Sequence, residues 1–139
     1  MLDLAVLLRA MQMYAHSAHH LCARIVFMQD HEFFSETYQA LEGGYDQVIE
    51  RIIGLYGEDS LNLQSLIAEV QDKIKDCPSV GVKENKTFYE YQLKFEKELC
   101  DLVETLCKNP KITQGTIQTI ATISELSEIR QYKIKQRLK

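Results

Sequence analysis

Proline is nearly missing from this chain, with only Pro78 and Pro110 in 139 residues. Long stretches therefore hold no residue that would break a helix. The four cysteines, Cys22, Cys77, Cys100 and Cys107, form no CxxC pair, so no zinc or redox spacing is present. They read as reduced, buried thiols of a cytoplasmic protein. No membrane-spanning segment is present either. The apolar N-terminus, MLDLAVLLRAMQMY, is short, is interrupted by Asp3 and Arg9, and lacks a small-residue cleavage pattern. The net charge of −4 is too mild to make the whole protein a polyanion binder. One further absence carries weight. No glutamate is followed by histidine three positions on, and no histidine follows His31. The Glu-x-x-His pairs that bind two irons inside a four-helix bundle are therefore excluded.

The remaining sequence is helical in pattern. Leu4, Leu7, Leu8, Met11, Ala15 and Ala18 keep a spacing of three or four residues, which predicts a helix from Leu2 to about Ala23. A link is expected around Arg24–Gln29, because Ile25, Val26 and Phe27 favour extended backbone. A second helix is predicted from about Met28 to Leu55, with Phe34, Tyr38, Leu41, Tyr45, Val48 and Ile52 inward. Gly43 and Gly44 mark either close helix packing or a kink within it. A shorter helix follows over Ser60–Lys75, with Leu63, Leu66, Ile67, Val70 and Ile74 on one face. A turn is expected over Asp76–Val82. The third long helix, Thr87–Cys107, turns Tyr91, Phe95, Leu99, Leu102, Val103 and Leu106 inward. The fourth, Thr113 to about Arg137, has Thr113 as its N-cap and Ile117, Ile120, Ile123, Leu126 and Ile129 inward. The fold expected for residues 1–139 is one all-α domain. It is a four-helix bundle with a short extra helix in the crossover between the second and third long helices.

All four histidines (His16, His19, His20, His31) lie within Tyr14–Tyr56, the same stretch that carries Asp46 and Glu50. Asp46 and Glu50 are four apart and share a helical face. His31 and Asp46 are 15 positions apart on one helix, over 20 Å at about 1.5 Å per residue. They cannot hold one ion within a single chain. Two chains paired antiparallel about a two-fold axis bring His19 and His31 of one chain to Asp46 and Glu50 of the other, twice over. Two imidazoles with two carboxylates suit Fe(II), with Zn and Mn as competitors.

The pattern H-x11-H-x14-D-x3-E-R, with Phe27 four before His31 and a glycine segment after the second helix, resembles the Dps family of ferritin-like mini-ferritins. That resemblance is specific over about Tyr14–Gly57 and architectural elsewhere. It implies a hollow dodecamer that oxidises Fe(II) at intersubunit sites, preferably with peroxide, and stores ferric oxide while suppressing oxidative damage. The site residues it implies are His19 and His31 from one subunit, with Asp46 and Glu50 from its two-fold mate. The chain departs from the family pattern at three places. His20 stands where tryptophan is common, Arg24 where glycine is common, and Ser35, followed by Glu36, where aspartate is common. A Dps-like shell protein with little ferroxidase activity, structural or DNA-compacting, is the alternative that these departures keep open.

Other charged residues have two readings each. The C-terminal run IRQYKIKQRLK carries Arg130, Lys133, Lys135, Arg137 and Lys139. It is a solvated helix end whose cations suit the helix dipole, or a phosphate-binding tail repeated around an oligomer. Glu98, Asp101, Glu104, Glu125 and Glu128 are candidates to line an iron-storing cavity. On a monomer they form a wet face. Arg51 is expected to make a salt bridge at the subunit contact, and Tyr14, Tyr38 and Tyr45 to pack in the core or interface.

Overall fold

The structure, a computed structural model, describes residues 1–78 and 84–139. Of the expected turn at Asp76–Val82, Asp76 is in a turn, Cys77 in a bend and Pro78 in irregular backbone, and the remainder lies outside the described residues. The helices among the described residues are α1 (Leu2–Leu21), α2 (Phe27–Tyr56), α3 (Leu63–Ile74), α4 (Asn85–Cys107) and α5 (Gln114–Arg137), with a 3-10 turn at Glu58–Ser60. No strand occurs among the described residues, as the all-α expectation requires. Thr113 does cap α5, accepting the Thr116 N–H at 3.3 Å. Asn62 caps α3 in the same way, accepting from Ser65 at 2.9 Å. α2 starts at Phe27, so three residues expected in the link are helical.

Four long helices close a ring in the order α1, α2, α5, α4, with α3 packed on α1. Neighbours run antiparallel. Tyr14, late in α1, meets Phe88 and Phe95 in the first half of α4. Arg137, the last residue of α5, reaches Asp30 in the first turn of α2. Across the diagonal α2 and α4 run parallel, since Phe34 packs on Phe88 and Tyr89 near the start of both. The connection from α2 to α4 thus returns the chain along the bundle, carrying α3 on the way.

The inward stripe expected for α1 is buried in full. Burial extends to Val6 and Ala10 because α3 covers the outer side, setting Leu66 and Val70 against them. Leu63 and Ile67, expected inward, are exposed. α3 touches the bundle along only one narrow edge, and these two residues lie off it. Gly43 and Gly44 lie inside an unbroken α2. At Gly44 a Cβ would sit 3.6 Å from Ile123 and 3.8 Å from Leu8, in ordinary contact. The glycine pair therefore marks no kink; Gly44 is buried against Ile123 and Leu8, whereas at Gly43 a Cβ would meet nothing within 4 Å.

The fourth long helix departs from expectation in phase. Its buried stripe is Thr116, Ile120, Ile123, Ser127, Arg130 and Ile134, and Leu126 and Ile129 are exposed. The cause is a buried polar network. Glu96 on α4, fully buried, accepts from Arg130 Nε (2.7 Å) and Nη2 (2.9 Å) and from Ser127 Oγ (2.6 Å). Gln92 Nε2 donates to it as well, at 2.7 Å. A buried charge with a two-pronged partner and further donors is satisfied, so these polar groups take places that apolar side chains would otherwise fill.

A second network ties the open end of the bundle. Asp30, fully buried, accepts from Asn85 (2.6 Å), Tyr89 (2.8 Å) and Arg137 (2.9 and 3.1 Å). Asn85 also exchanges hydrogen bonds with the backbone of Ala23 in the α1–α2 link. One carboxylate therefore joins α2, α4 and α5, and Asn85 extends the knot to the link after α1. Burial pushes the Asp30 carboxyl upward, but hydrogen bonds from Arg137, Asn85 and Tyr89 outweigh it and hold it below the usual carboxylate range. Burial, then the bond to Asp30, pushes the Tyr89 hydroxyl well above its ordinary value.

All four cysteines are free. Cys22 is buried as expected, whereas Cys77, Cys100 and Cys107 are only half-buried, at element ends or facing the polar α4–α5 seam. Burial raises the Cys22 thiol above its ordinary range, and the Asp30 charge adds to the effect. Burial likewise raises Cys77, with Asp76 adding to it.

Candidate functional site

The α1–α2 link is only five residues, Cys22–Val26. It turns sharply through Arg24, which adopts φ +78°, a conformation unfavourable to a side chain and easy for glycine. The turn brings the last turn of α1 against the first turn of α2, and with them His19 and His31. Their rings stack with centroids 3.7 Å apart at 26°.

Each of these two rings is fixed by the other residue's backbone. His19 Nδ1 lies 2.9 Å from the His31 carbonyl oxygen, and His31 Nδ1 lies 2.8 Å from the His19 carbonyl oxygen. A carbonyl can only accept, so both Nδ1 atoms donate. In the neutral rings the lone pair is then on Nε2 in both residues, the tautomer in which an imidazole binds a metal with its other nitrogen tethered. Phe27 packs on the far side of His31 with centroids 4.9 Å apart. Tyr38 meets His19 edge-on at 5.5 Å. Both imidazoles are half-buried.

The other two histidines join the same patch. His16 stacks on Tyr38 with centroids 4.2 Å apart at 28°, and its Nε2 lies 3.2 Å from His20 Nε2. The patch thus holds all four histidines. Ser35, where an acidic ligand would extend the histidine pair along α2, instead accepts from Gln39 at 3.1 Å. Glu36 lies near Lys133 of α5 at 3.6 Å.

Asp46 and Glu50 are exposed on α2 and form no ion pair among the described residues. Fifteen residues of unbroken α2, roughly 22 Å, separate Asp46 from His31. Among the described residues of one chain, no three histidine, cysteine or acidic side chains are grouped to hold an ion. The structure thus brings His19 and His31 together and keeps Asp46 and Glu50 apart from them. Arg51, expected at a subunit contact, is half-buried next to Glu50.

An apolar surface lies elsewhere on the same helices. A groove between α1, α2 and α3 is lined by Met13, Tyr45, Leu63, Ile67 and Ile74, with Arg9 at its edge. Arg9 lies 3.9 Å over the Tyr45 ring, and Met13, Leu63 and Ile67 are all exposed. A second groove lies between α4 and α5. Asp101, Glu104, Glu125 and Glu128 line it, four of the five acidic residues singled out from the sequence. The fifth, Glu98, is paired with Lys73 of α3.

The basic C-terminal run is less free than its sequence suggests. Arg130 and Arg137 are committed to Glu96 and Asp30, and Lys133 makes an exposed approach to Glu36. No helix among the described residues is long and apolar enough to cross a membrane. No protein-family model matches the chain, and no curated protein matches it.

Proposed function

We propose that the chain is a Dps-like mini-ferritin, built on a ferritin-like bundle, that takes Fe(II) as substrate and ferric oxide as cargo at sites shared by two subunits. The observation that carries this reading is the His19–His31 clasp, which leaves two Nε2 lone pairs side by side at the end of α1. Asp46 and Glu50 supply the matching half, two carboxylates on one face of α2 that no cation among the described residues pairs with. Two imidazoles and two carboxylates suit Fe(II), with Zn and Mn competing for the same donors. In an antiparallel two-fold pair, each chain's histidines meet its partner's carboxylates, and the apolar groove at Met13, Tyr45, Leu63 and Ile67 is covered by the same contact. The bundle order, with parallel α2 and α4 and a helix in their crossover, is the one a ferritin-like chain requires. In a closed cytoplasmic shell, a dodecamer by the family's pattern, the acidic α4–α5 groove would concentrate cations.

A specific observation favours a second reading, a Dps-like shell with slow or no iron oxidation. Ser35 is turned to Gln39 and Glu36 lies beside Lys133, so neither extends the donor set. DNA contact would draw on Lys133, Lys135 and Lys139 at the C-terminus, because Arg130 and Arg137 are held by Glu96 and Asp30.

The experiment adds Fe(II) without oxygen, then peroxide, and follows the absorbance of ferric product. Wild-type protein should exceed buffer, and Asp46→Ala/Glu50→Ala should not. Wild-type protein no faster than buffer defeats the ferroxidase reading and leaves the shell. A monomer by light scattering defeats both.

A further inference from the structure

The His16–His20 pair is not used by the proposed iron site. These residues are four apart on α1, so their side chains share a face one turn apart. Their Nε2 atoms face each other at 3.2 Å. An ion with metal–nitrogen bonds of about 2.0–2.1 Å holds two imidazole nitrogens about 2.9–3.4 Å apart, across ligand angles from square to tetrahedral. The pair is therefore already spaced as a chelate. Two histidines at this interval on one helix face form the core of a known class of helical zinc sites.

One arm of the pair is held in place before any ion arrives. The His16 ring lies stacked on Tyr38 at 4.2 Å, which restricts its rotation. His19, edge-on to His20 at 4.9 Å, bounds the other side. Its own Nδ1 is occupied by the His31 carbonyl, so it can shape the pocket without leaving the clasp. In the ion-free chain one of the facing Nε2 atoms must carry a proton to bond the other. Binding an ion needs only that this ring move its proton to Nδ1, with no change in charge. No lysine or arginine pairs with either ring among the described residues.

We infer that His16 and His20 form a two-imidazole chelate for a divalent transition ion, within one chain and separate from the His19–His31 and Asp46–Glu50 set. Imidazole donors without carboxylates select the later, borderline ions over Fe(II), with Ni(II), Cu(II) and Zn(II) the best fits. Water completes the coordination. The chelate stands whether or not the chain oxidises iron.

Untagged full-length protein titrated with Ni(II) in a calorimeter tests this directly. The wild type should bind one ion per chain at this site. His16→Phe, which keeps the stack on Tyr38 but has no nitrogen donor, and His20→Ala should each weaken that binding about ten-fold or more. His19→Ala/His31→Ala should retain it. The inference is overturned if the His16→Phe and His20→Ala proteins bind Ni(II) as the wild type does. It is overturned equally if the binding disappears with His19 and His31 instead. Circular dichroism of each variant checks folding. Both His16 and His20 are outside the core, and unchanged helicity is expected.

Discussion

His19 and His31 hold each other by exchanged hydrogen bonds, each ring Nδ1 donating to the other's carbonyl at 2.9 and 2.8 Å. The exchange closes the α1–α2 corner and sets the tautomer of both rings in one device. Replacing either histidine by alanine should remove both a hydrogen bond and the ring stack. The expected loss is about 1–2 kcal/mol of stability, measured by urea unfolding. His19→Asn or His31→Asn, which can still donate to the carbonyl, should recover part of that stability and none of any iron oxidation. Equal loss of stability in the asparagine and alanine proteins would contradict the clasp.

Asp30 is the group whose removal should cost most at the open end of the bundle. Asp30→Asn leaves Arg137 and Tyr89 without their anion and should destabilise by about 3 kcal/mol. Because the folded carboxyl lies below its ordinary range, its contribution is present above the unfolded carboxylate value. It is lost as pH falls through the lowered folded value. The wild type should therefore lose stability into the acid range more steeply than Asp30→Asn. Urea midpoints from neutral pH to about pH 3 check this, and parallel curves would refute it.

Glu96 and Arg130 should behave as a unit. Arg130→Met strands a buried carboxylate and should cost about 3–5 kcal/mol. Glu96→Leu strands the guanidinium, whose side chain is 10% exposed. The double substitution should cost less than the sum of the two and less than Arg130→Met alone. An additive double-mutant cycle would mean that the pair is not coupled.

Two substitutions should stabilise. Arg24→Gly relieves the φ of +78° and should gain about 1 kcal/mol. At Gly43 a Cβ meets nothing within 4 Å, so Gly43→Ala should gain up to about 1 kcal/mol from helix propensity. Thermal unfolding of each single variant is the check, and a lowered midpoint in either would contradict it.

The helices and their order were legible because apolar spacing at three and four residues is a local signal. The α1 stripe and the Thr113 cap follow from neighbours in sequence. Asp30 was not legible. It resembles any acidic residue in a helix's first turn, and its partners lie 55, 59 and 107 positions away. The phase of α5 was misread for a related reason. Apolar periodicity assigns the core to Leu126 and Ile129, whereas Ser127 and Arg130 are inward because a buried glutamate on α4 needs them. At the site, the twelve-residue interval between His19 and His31 announced that a short link joins them. Their reciprocal bonding depends on the Arg24 turn, which spacing does not encode. Asp46 and Glu50 were legible as a pair, and the length of α2 separated them from the histidines in sequence and structure alike.

The central claim is that each site is split between two chains, and mixing two inactive proteins tests it most directly. His19→Ala/His31→Ala lacks one half of every site and Asp46→Ala/Glu50→Ala lacks the other. Each alone should be inactive with Fe(II) and peroxide. After unfolding and refolding together, half the two-fold pairs are mixed, and each mixed pair holds one intact site of two. Symmetry then predicts about a quarter of wild-type activity. If mixed assemblies form, as native mass spectrometry would show, and no activity returns, the shared-site account is wrong.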